Sequence, residues 1–259
     1  MSLFLYSDRA SFFHRRHPSA KIIGLLLCFV AALSFSHPLY LLPLVPILVL
    51  PGLAAGVGTG LKRMGWLMAT IGLMSFILWG IFYPGPADLY SLGPLHLGRS
   101  ALLYGAGMAI RLNLMLFCGL VFLASTRVEE FTTGLSTLGV PYSISFALGL
   151  SFRLVPIFTE TAQTILEAQR SRGLDTEAGG PLRRLRTYLP LLVPVFASAL
   201  RRINQLSIAL ESKGFSAGRS RTSLREYRFG PGDFIFLGVM MALAAACVTL
   251  RLLGRGGVA

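Results

Sequence analysis

Long apolar runs separated by clusters of arginine and lysine constrain this chain more than any other feature. Residues 22–36, 39–58, 64–83, 101–125 and 234–253 are nearly free of charge. A helix needs about 20 mainly apolar residues to cross the hydrocarbon core of a bilayer. The first run reaches that length only if its ends near Lys21 and His37 sit among the headgroups. Only 14% of the chain is charged and 54% is hydrophobic, whereas soluble domains carry about 25% charged residues. The expected fold is an all-α membrane protein with about five transmembrane helices.

The formal net charge of +13 raises the question of a nucleic-acid partner. Twenty of the 24 basic residues fall in three blocks: Arg9, Arg15, Arg16 and Lys21; Lys62 and Arg63; and the stretch 127–228. These blocks lie between apolar runs, where the positive-inside rule keeps them in the cytoplasm. A nucleic-acid binder would gather them on one soluble face with interleaved aromatics, so no nucleic-acid partner is expected. The loop 84–98 is rich in Pro and Gly and has Asp88 as its one charge, which suits an external loop. Trp79 and Tyr83 suit the interface beside it. Arg111, inside the fourth run, must face protein or water, because an unpaired guanidinium in lipid is costly.

The stretch 127–232 is read as a cytoplasmic segment of long amphipathic helices. Within it, Leu185, Leu189, Leu192, Phe196, Leu200, Ile203, Leu206 and Leu210 recur at spacings of three and four, which is helical period and suggests a buried stripe. Residues 188–200 are not expected to span, because arginines flank them on both sides and one cluster would be forced outside. Residues 142–158 carry only Arg153 and Pro156 and are expected to form a partly membrane-embedded helix continuing to Arg172. The domain reading is therefore 1–126 for transmembrane helices 1–4, 127–232 for the cytoplasmic coupling helices, and 233–259 for a fifth transmembrane helix and tail. The N-terminus is expected inside and the C-terminus outside.

No catalytic constellation is legible. Residues 56–62, Gly-Val-Gly-Thr-Gly-Leu-Lys, lack the G-x-x-x-x-G-K-[ST] order of a phosphate loop. His14 and His17 sit among Arg15, Arg16 and Lys21, which repel a cation, and are read as interface histidines. His37-Pro38 is read as a tight turn. Cys28, Cys118 and Cys247 lie in separate apolar runs without metal or redox spacing and are read as packing residues. Gly52, Gly56 and Gly60 admit two readings, small-residue helix contact or helix-end glycine. The chain is expected to carry no cofactor or metal and not to be an enzyme.

Two segments share a pattern: Glu167-Ala168-Gln169-Arg170-Ser171-Arg172-Gly173-Leu174 and Ala209-Leu210-Glu211-Ser212-Lys213-Gly214-Phe215. Each ends an amphipathic stretch with Ser, a cation, Gly and an apolar residue. A Gly just past a helix end and a cation in its last turn suit a helix terminus of any protein. Their repetition, however, resembles the transmembrane (T) component of energy-coupling factor transporters, which carries two short Ala-Arg-Gly motifs on paired cytoplasmic helices. Residues 11–21, residues 125–131 followed by 138–142, Arg153 to Pro156, and residues 182–194 resemble the same family in the same order.

The resemblance implies a division of labour. Two ABC-type ATPase subunits would bind ATP and Mg, a small membrane protein would bind a vitamin or transition-metal ion, and this chain would couple them in the prokaryotic plasma (inner) membrane. It also implies that Ser171, Arg172, Gly173, Ser212, Lys213 and Gly214 meet the ATPases. Ser171 and Ser212 replace the family's Ala and Lys213 replaces its second Arg, so the second dock loses a planar, bidentate donor. The competing reading is a self-sufficient permease or channel for a small anion, with Arg111 and Arg153 along its path.

Overall fold

The computed structural model describes residues 16–54, 56–83, 90–92, 95–174, 181–215, 227 and 229–254. His14 and residues 11–15, most of the 84–98 loop, and Arg219, Arg221, Arg225 and Arg228 lie outside them. In chain order the elements are α1 (Pro18–Ser34), α2 (Pro38–Leu41), α3 (Leu44–Ala54), α4 (Gly58–Phe82), β1 (Tyr90–Leu92), β2 (Leu95–Leu97), α5 (Arg99–Ser125), α6 (Val128–Thr137), α7 (Tyr142–Ser171), α8 (Pro181–Ser212) and α9 (Pro231–Leu252). The architecture is that of an all-α membrane protein. Its small exception is the antiparallel pair β1–β2, with Tyr90 opposite Leu97, in the Pro- and Gly-rich loop.

Among the described residues, four helical stretches are long and apolar enough to cross a membrane: Met64–Phe82, Arg99–Ser125, Tyr142–Ser171 and Pro231–Leu252. The first two apolar runs of the sequence form shorter helices. Residues 39–58 are not one helix, because a turn at Leu42 and Pro43 separates α2 from α3. A proline there has no N–H to donate and its ring crowds the preceding turn. The 142–158 run belongs to a single helix that continues to Ser171 and meets the length and hydropathy of a span.

Both His-Pro dipeptides open helices. Proline suits the first helical position, where the missing N–H would have no partner anyway. The histidine before it caps the helix: Nδ1 of His17 accepts from the Ser19 N–H at 3.2 Å, and Nδ1 of His37 from the Leu39 N–H at 3.3 Å. His17 is 4% exposed, so it is a buried cap and not an interface residue.

The chain divides into two compact units, residues 1–145 with 227–259, and residues 146–226. In the first unit α4 runs along α5, and α1 packs against α9, α5 and α6. An apolar cluster from α1, α2, α3, α5 and α9 includes Ala31, Phe35, Leu41, Leu44, Leu114, Cys118 and Cys247. Cys28 packs against it, its Sγ 3.8 Å from Met240 Sδ. All three cysteines are free thiols in apolar packing.

The glycine repeat divides between its two readings. A Cβ on Gly52 would stand 2.6 Å from the Phe117 ring and 2.7 Å from Val121 Cγ2, so the close crossing of α3 and α5 requires glycine there. Gly56 instead takes φ +82° in the turn before α4. The first unit reaches past the expected boundary at 126 because α6 packs on α1, which places residues 127–145 with the apolar helices.

Candidate functional site

The two repeated segments take the same backbone form. α7 ends with the Gly173 N–H donating to the Arg170 carbonyl at 3.0 Å and the Leu174 N–H donating to the Gln169 carbonyl at 3.0 Å. α8 ends with Gly214 donating to Glu211 at 2.9 Å and Phe215 donating to Leu210 at 3.0 Å. Both are Schellman caps, in which a left-handed residue turns the chain back over its own last carbonyls. Gly173 and Gly214 supply that conformation, with φ +90° and +73°. Any other L-residue would strain there by about 1–2 kcal/mol.

The cap sets what each end presents. Ser171, Arg172 and Gly173 are exposed, as are Ser212, Lys213 and Gly214. The serine hydroxyls turn back onto their own helices, Ser171 donating to the Glu167 carbonyl and Ser212 to the Ala209 carbonyl, both at 3.0 Å. Each serine hydroxyl is thereby taken up by its own helix, and the next residue, the cation, is exposed at the terminus. Phe215 is held by the Phe146 ring, with centroids 4.4 Å apart. α6 ends in the same cap, with Gly139 at φ +98°, but Leu138 stands where the other two have a cation.

α8 carries a second feature. Leu192, Phe196, Leu200 and Ile203 lie along one helical face at spacings of four, four and three. They are 68%, 63%, 46% and 47% exposed. These four residues of the stripe expected to be buried are thus open within this chain, Leu206 and Leu210 are half-buried, and the side chains of Leu185 and Leu189 lie outside those described. Arg201 and Arg202 are also exposed, and at 100° per residue they fall away from that face.

Among the described residues, the first unit buries two charged side chains, Lys21 and Asp233, whereas its Lys62, Arg99, Arg127, Glu129 and Arg251 are exposed. Lys21 is 5% exposed; its Nζ donates to Glu130 Oε2 at 2.8 Å and to the carbonyl of Ser125, the last residue of α5, at 2.9 Å. Asp233 is 4% exposed. Its carboxylate accepts from the His17 N–H at 3.1 Å and the Gly230 N–H at 2.9 Å, and lies 3.7 Å from Arg16 Nη1. Removing one partner of such a buried pair costs about 3–5 kcal/mol, because the other charge is left without compensation.

Arg111 is spent in a similar way. Its guanidinium donates to the carbonyls of Ala32 and Leu33, each at 3.2 Å, and to that of Phe35. These are carbonyls at the C-terminal end of α1 that have no helical partner of their own. Arg111 therefore caps α1 and does not offer its charge to an anion path, while Arg153 is exposed on α7 in the other unit.

Sequence reasoning set Lys21 near the headgroups and gave Lys21, Glu130 and Asp233 no partners, whereas the structure pairs all three. The signal for Asp233 was present: Gly230-Pro231-Gly232-Asp233 has proline at the first helical position and an acid two residues later, a helix-start signature. Lys21 and Glu130, 109 positions apart, carry no local signal.

Known proteins match this sequence over nearly the whole chain. The family model described as CbiQ, cobalt transport protein, matches residues 9–224. The chain is 30% identical over 271 aligned residues to the energy-coupling factor transporter transmembrane protein EcfT of Listeria innocua, covering 97% of this chain and 98% of that one. The chain belongs to this family of energy-coupling factor transmembrane components. Relatives bearing the same name from Acidaminococcus fermentans and Thermanaerovibrio acidaminovorans are 28% and 29% identical. Their alignments cover 97% of both chains in the first case, and 92% of this chain and 91% of the relative in the second. Like other members of the energy-coupling factor family, it is a multi-pass protein of the bacterial cell membrane.

Proposed function

We propose that this chain is the non-catalytic coupling subunit of an importer, joining two ABC-type ATPase subunits to a small substrate-binding membrane protein that takes up a vitamin or a transition-metal ion. The observation that carries this reading is the pair of like-built helix ends at Ser171–Arg172–Gly173 and Ser212–Lys213–Gly214. Each holds a cation clear of the helix on a turn that only glycine adopts easily. A cation so presented suits an acidic groove on a partner, and two copies suit two partners of one kind.

The open apolar face of α8 supports the other half of the reading. Leu192, Phe196, Leu200 and Ile203 would lose water on meeting an apolar helix of the substrate-binding subunit. Each fully buried side chain of this size is worth about 1.5–3 kcal/mol. ATP and Mg would be held by the ATPases, whose closure would shift α7 and α8 and so reorient the substrate-binding subunit. A difference of a few kcal/mol in contact between two arrangements is enough for such a shift. The family description, cobalt transport protein, fits a transition-metal cargo, and the EcfT relatives fit a coupling subunit.

Affinity purification from detergent-solubilised membranes tests the reading. The expected result is a stable complex containing two ATPase polypeptides or two copies of one, with ATP hydrolysis that disappears when the chain is purified free of them. Specific ATP hydrolysis by the isolated chain, or purification without any ATPase, would overturn it.

A further inference from the structure

We infer that the first turn of α1, residues 17–21, is the anchor for both chain crossings into the unit of residues 146–226, and that the Lys21–Glu130 pair is a positioning element of the coupling step. This rests on the coupling function proposed above and adds to it the part of the membrane-spanning unit against which the motion works.

The chain leaves the first unit after Ser145 and returns to it at Tyr227. The exit falls in the first turn of α7, and the helix that precedes α7 is α6. It is tied to α1 by Lys21 and Glu130, by the Ser19 hydroxyl donating to the Gly134 carbonyl at 3.2 Å, and by contact of that hydroxyl with Thr137 Oγ1. A Cβ on Gly134 would stand 3.1 Å from the Pro18 carbonyl carbon, so the two helices touch through backbone. The segment after the return is tied to the same turn. The His17 ring stacks on Phe229 with centroids 3.9 Å apart, and the His17 backbone N–H donates to Asp233. Two stretches of chain some 90 residues apart thus share five consecutive residues as their support.

The kind of bond used points the same way. A buried ion pair adds little stability over well-packed apolar residues of the same size. What it supplies is direction: Nζ of Lys21 meets one carboxylate oxygen and one carbonyl, which sets the position and rotation of α6 on α1. A lever transmits displacement only when its base is held. Lys21 and Asp233 hold the two ends of the base, and loosening either would let ATPase-driven motion dissipate at the crossings.

The test uses the complete complex with its ATPases in nanodiscs, in a background with Cys28, Cys118 and Cys247 replaced by Ala. Spin labels are placed at Trp66→Cys in the first unit and Thr164→Cys in the second, both exposed. With Lys21 and Glu130 intact, adding the non-hydrolysable analogue AMP-PNP should shift the distance distribution between the labels. Lys21→Met paired with Glu130→Met leaves no buried charge unpaired, so the chain folds, and copurification of the ATPases should be unchanged. The nucleotide-driven shift should nonetheless be lost and the distribution broadened, while Lys21→Arg should preserve the shift. A wild-type shift in the double Met variant would overturn this inference alone. Absence of a shift with Lys21 and Glu130 intact would overturn the coupling reading and this inference with it.

Discussion

Among the described residues, one unit of this chain buries charged side chains and the other buries none. In the unit of residues 1–145 and 227–259, Lys21, Asp233 and His17 are buried and paired, and large apolar side chains such as Trp66, Phe82 and Leu252 face outward at 83%, 71% and 81% exposure. That is the arrangement expected where the solvent is lipid, since lipid tails accept apolar surface and reject charge. In the unit of residues 146–226, Arg172 and Lys213 are exposed at helix ends and one face of α8 is openly apolar. That mixture suits neither lipid nor water over the whole surface, and it is what a helix held between different protein partners would present. The first unit pairs its buried charges internally; the second leaves its helix-end cations exposed.

The largest effect that should break this contrast is a double charge reversal in the second unit. Arg172→Glu with Lys213→Glu should abolish ATPase copurification while leaving membrane insertion intact, measured by pull-down from equal amounts of membrane-extracted protein. Each lost charge-assisted contact costs about 2–5 kcal/mol, or roughly 30-fold or more in affinity. Arg172→Glu alone should weaken the complex more than Lys213→Glu alone, because a guanidinium makes two fixed bonds to a carboxylate and an ammonium acts as a point charge. Wild-type assembly in the double variant would reduce both motifs to helix caps.

A smaller and opposite signature is expected in the first unit. Arg111→Met strips the bonds to carbonyls at the end of α1 and should cost stability without touching assembly. With about 2 kcal/mol lost from unsatisfied carbonyls, the apparent melting temperature in detergent should fall by roughly 5 °C, with ATPase copurification unchanged. A variant of normal stability whose solute permeation had changed would instead place Arg111 on a conduction path.

The smallest effect sharpens the comparison between the two motifs themselves. Lys213→Arg gives the second helix end the same planar donor as the first and should tighten ATPase binding by about fivefold, or about 1 kcal/mol, in a titration of purified ATPase against the chain in nanodiscs. No change would mean that the groove meeting Lys213 makes no use of a fork.

Much of this molecule was legible in residue order because its causes are local. Apolar runs of span length, a three-and-four spacing on α8, and glycines that end α7 and α8 are properties of neighbouring residues, and the family resemblance follows from the same stretches. The Ser-cation-Gly pattern marked the candidate interaction site for the same reason, since a Schellman cap is built from six consecutive residues. Tertiary structure decided the rest. It split residues 39–58 at Pro43, turned Gly52 into a contact and Gly56 into a turn, and left Leu192, Phe196, Leu200 and Ile203 of the α8 stripe open where periodicity alone suggested burial. It also chose the partners of Lys21, Arg111 and Asp233. Periodicity shows that a helix has an apolar face but not what covers it, and a charge in an apolar run demands a partner without naming one. Those answers depend on which helices pack side by side, a property of the folded chain and not of any window of its sequence.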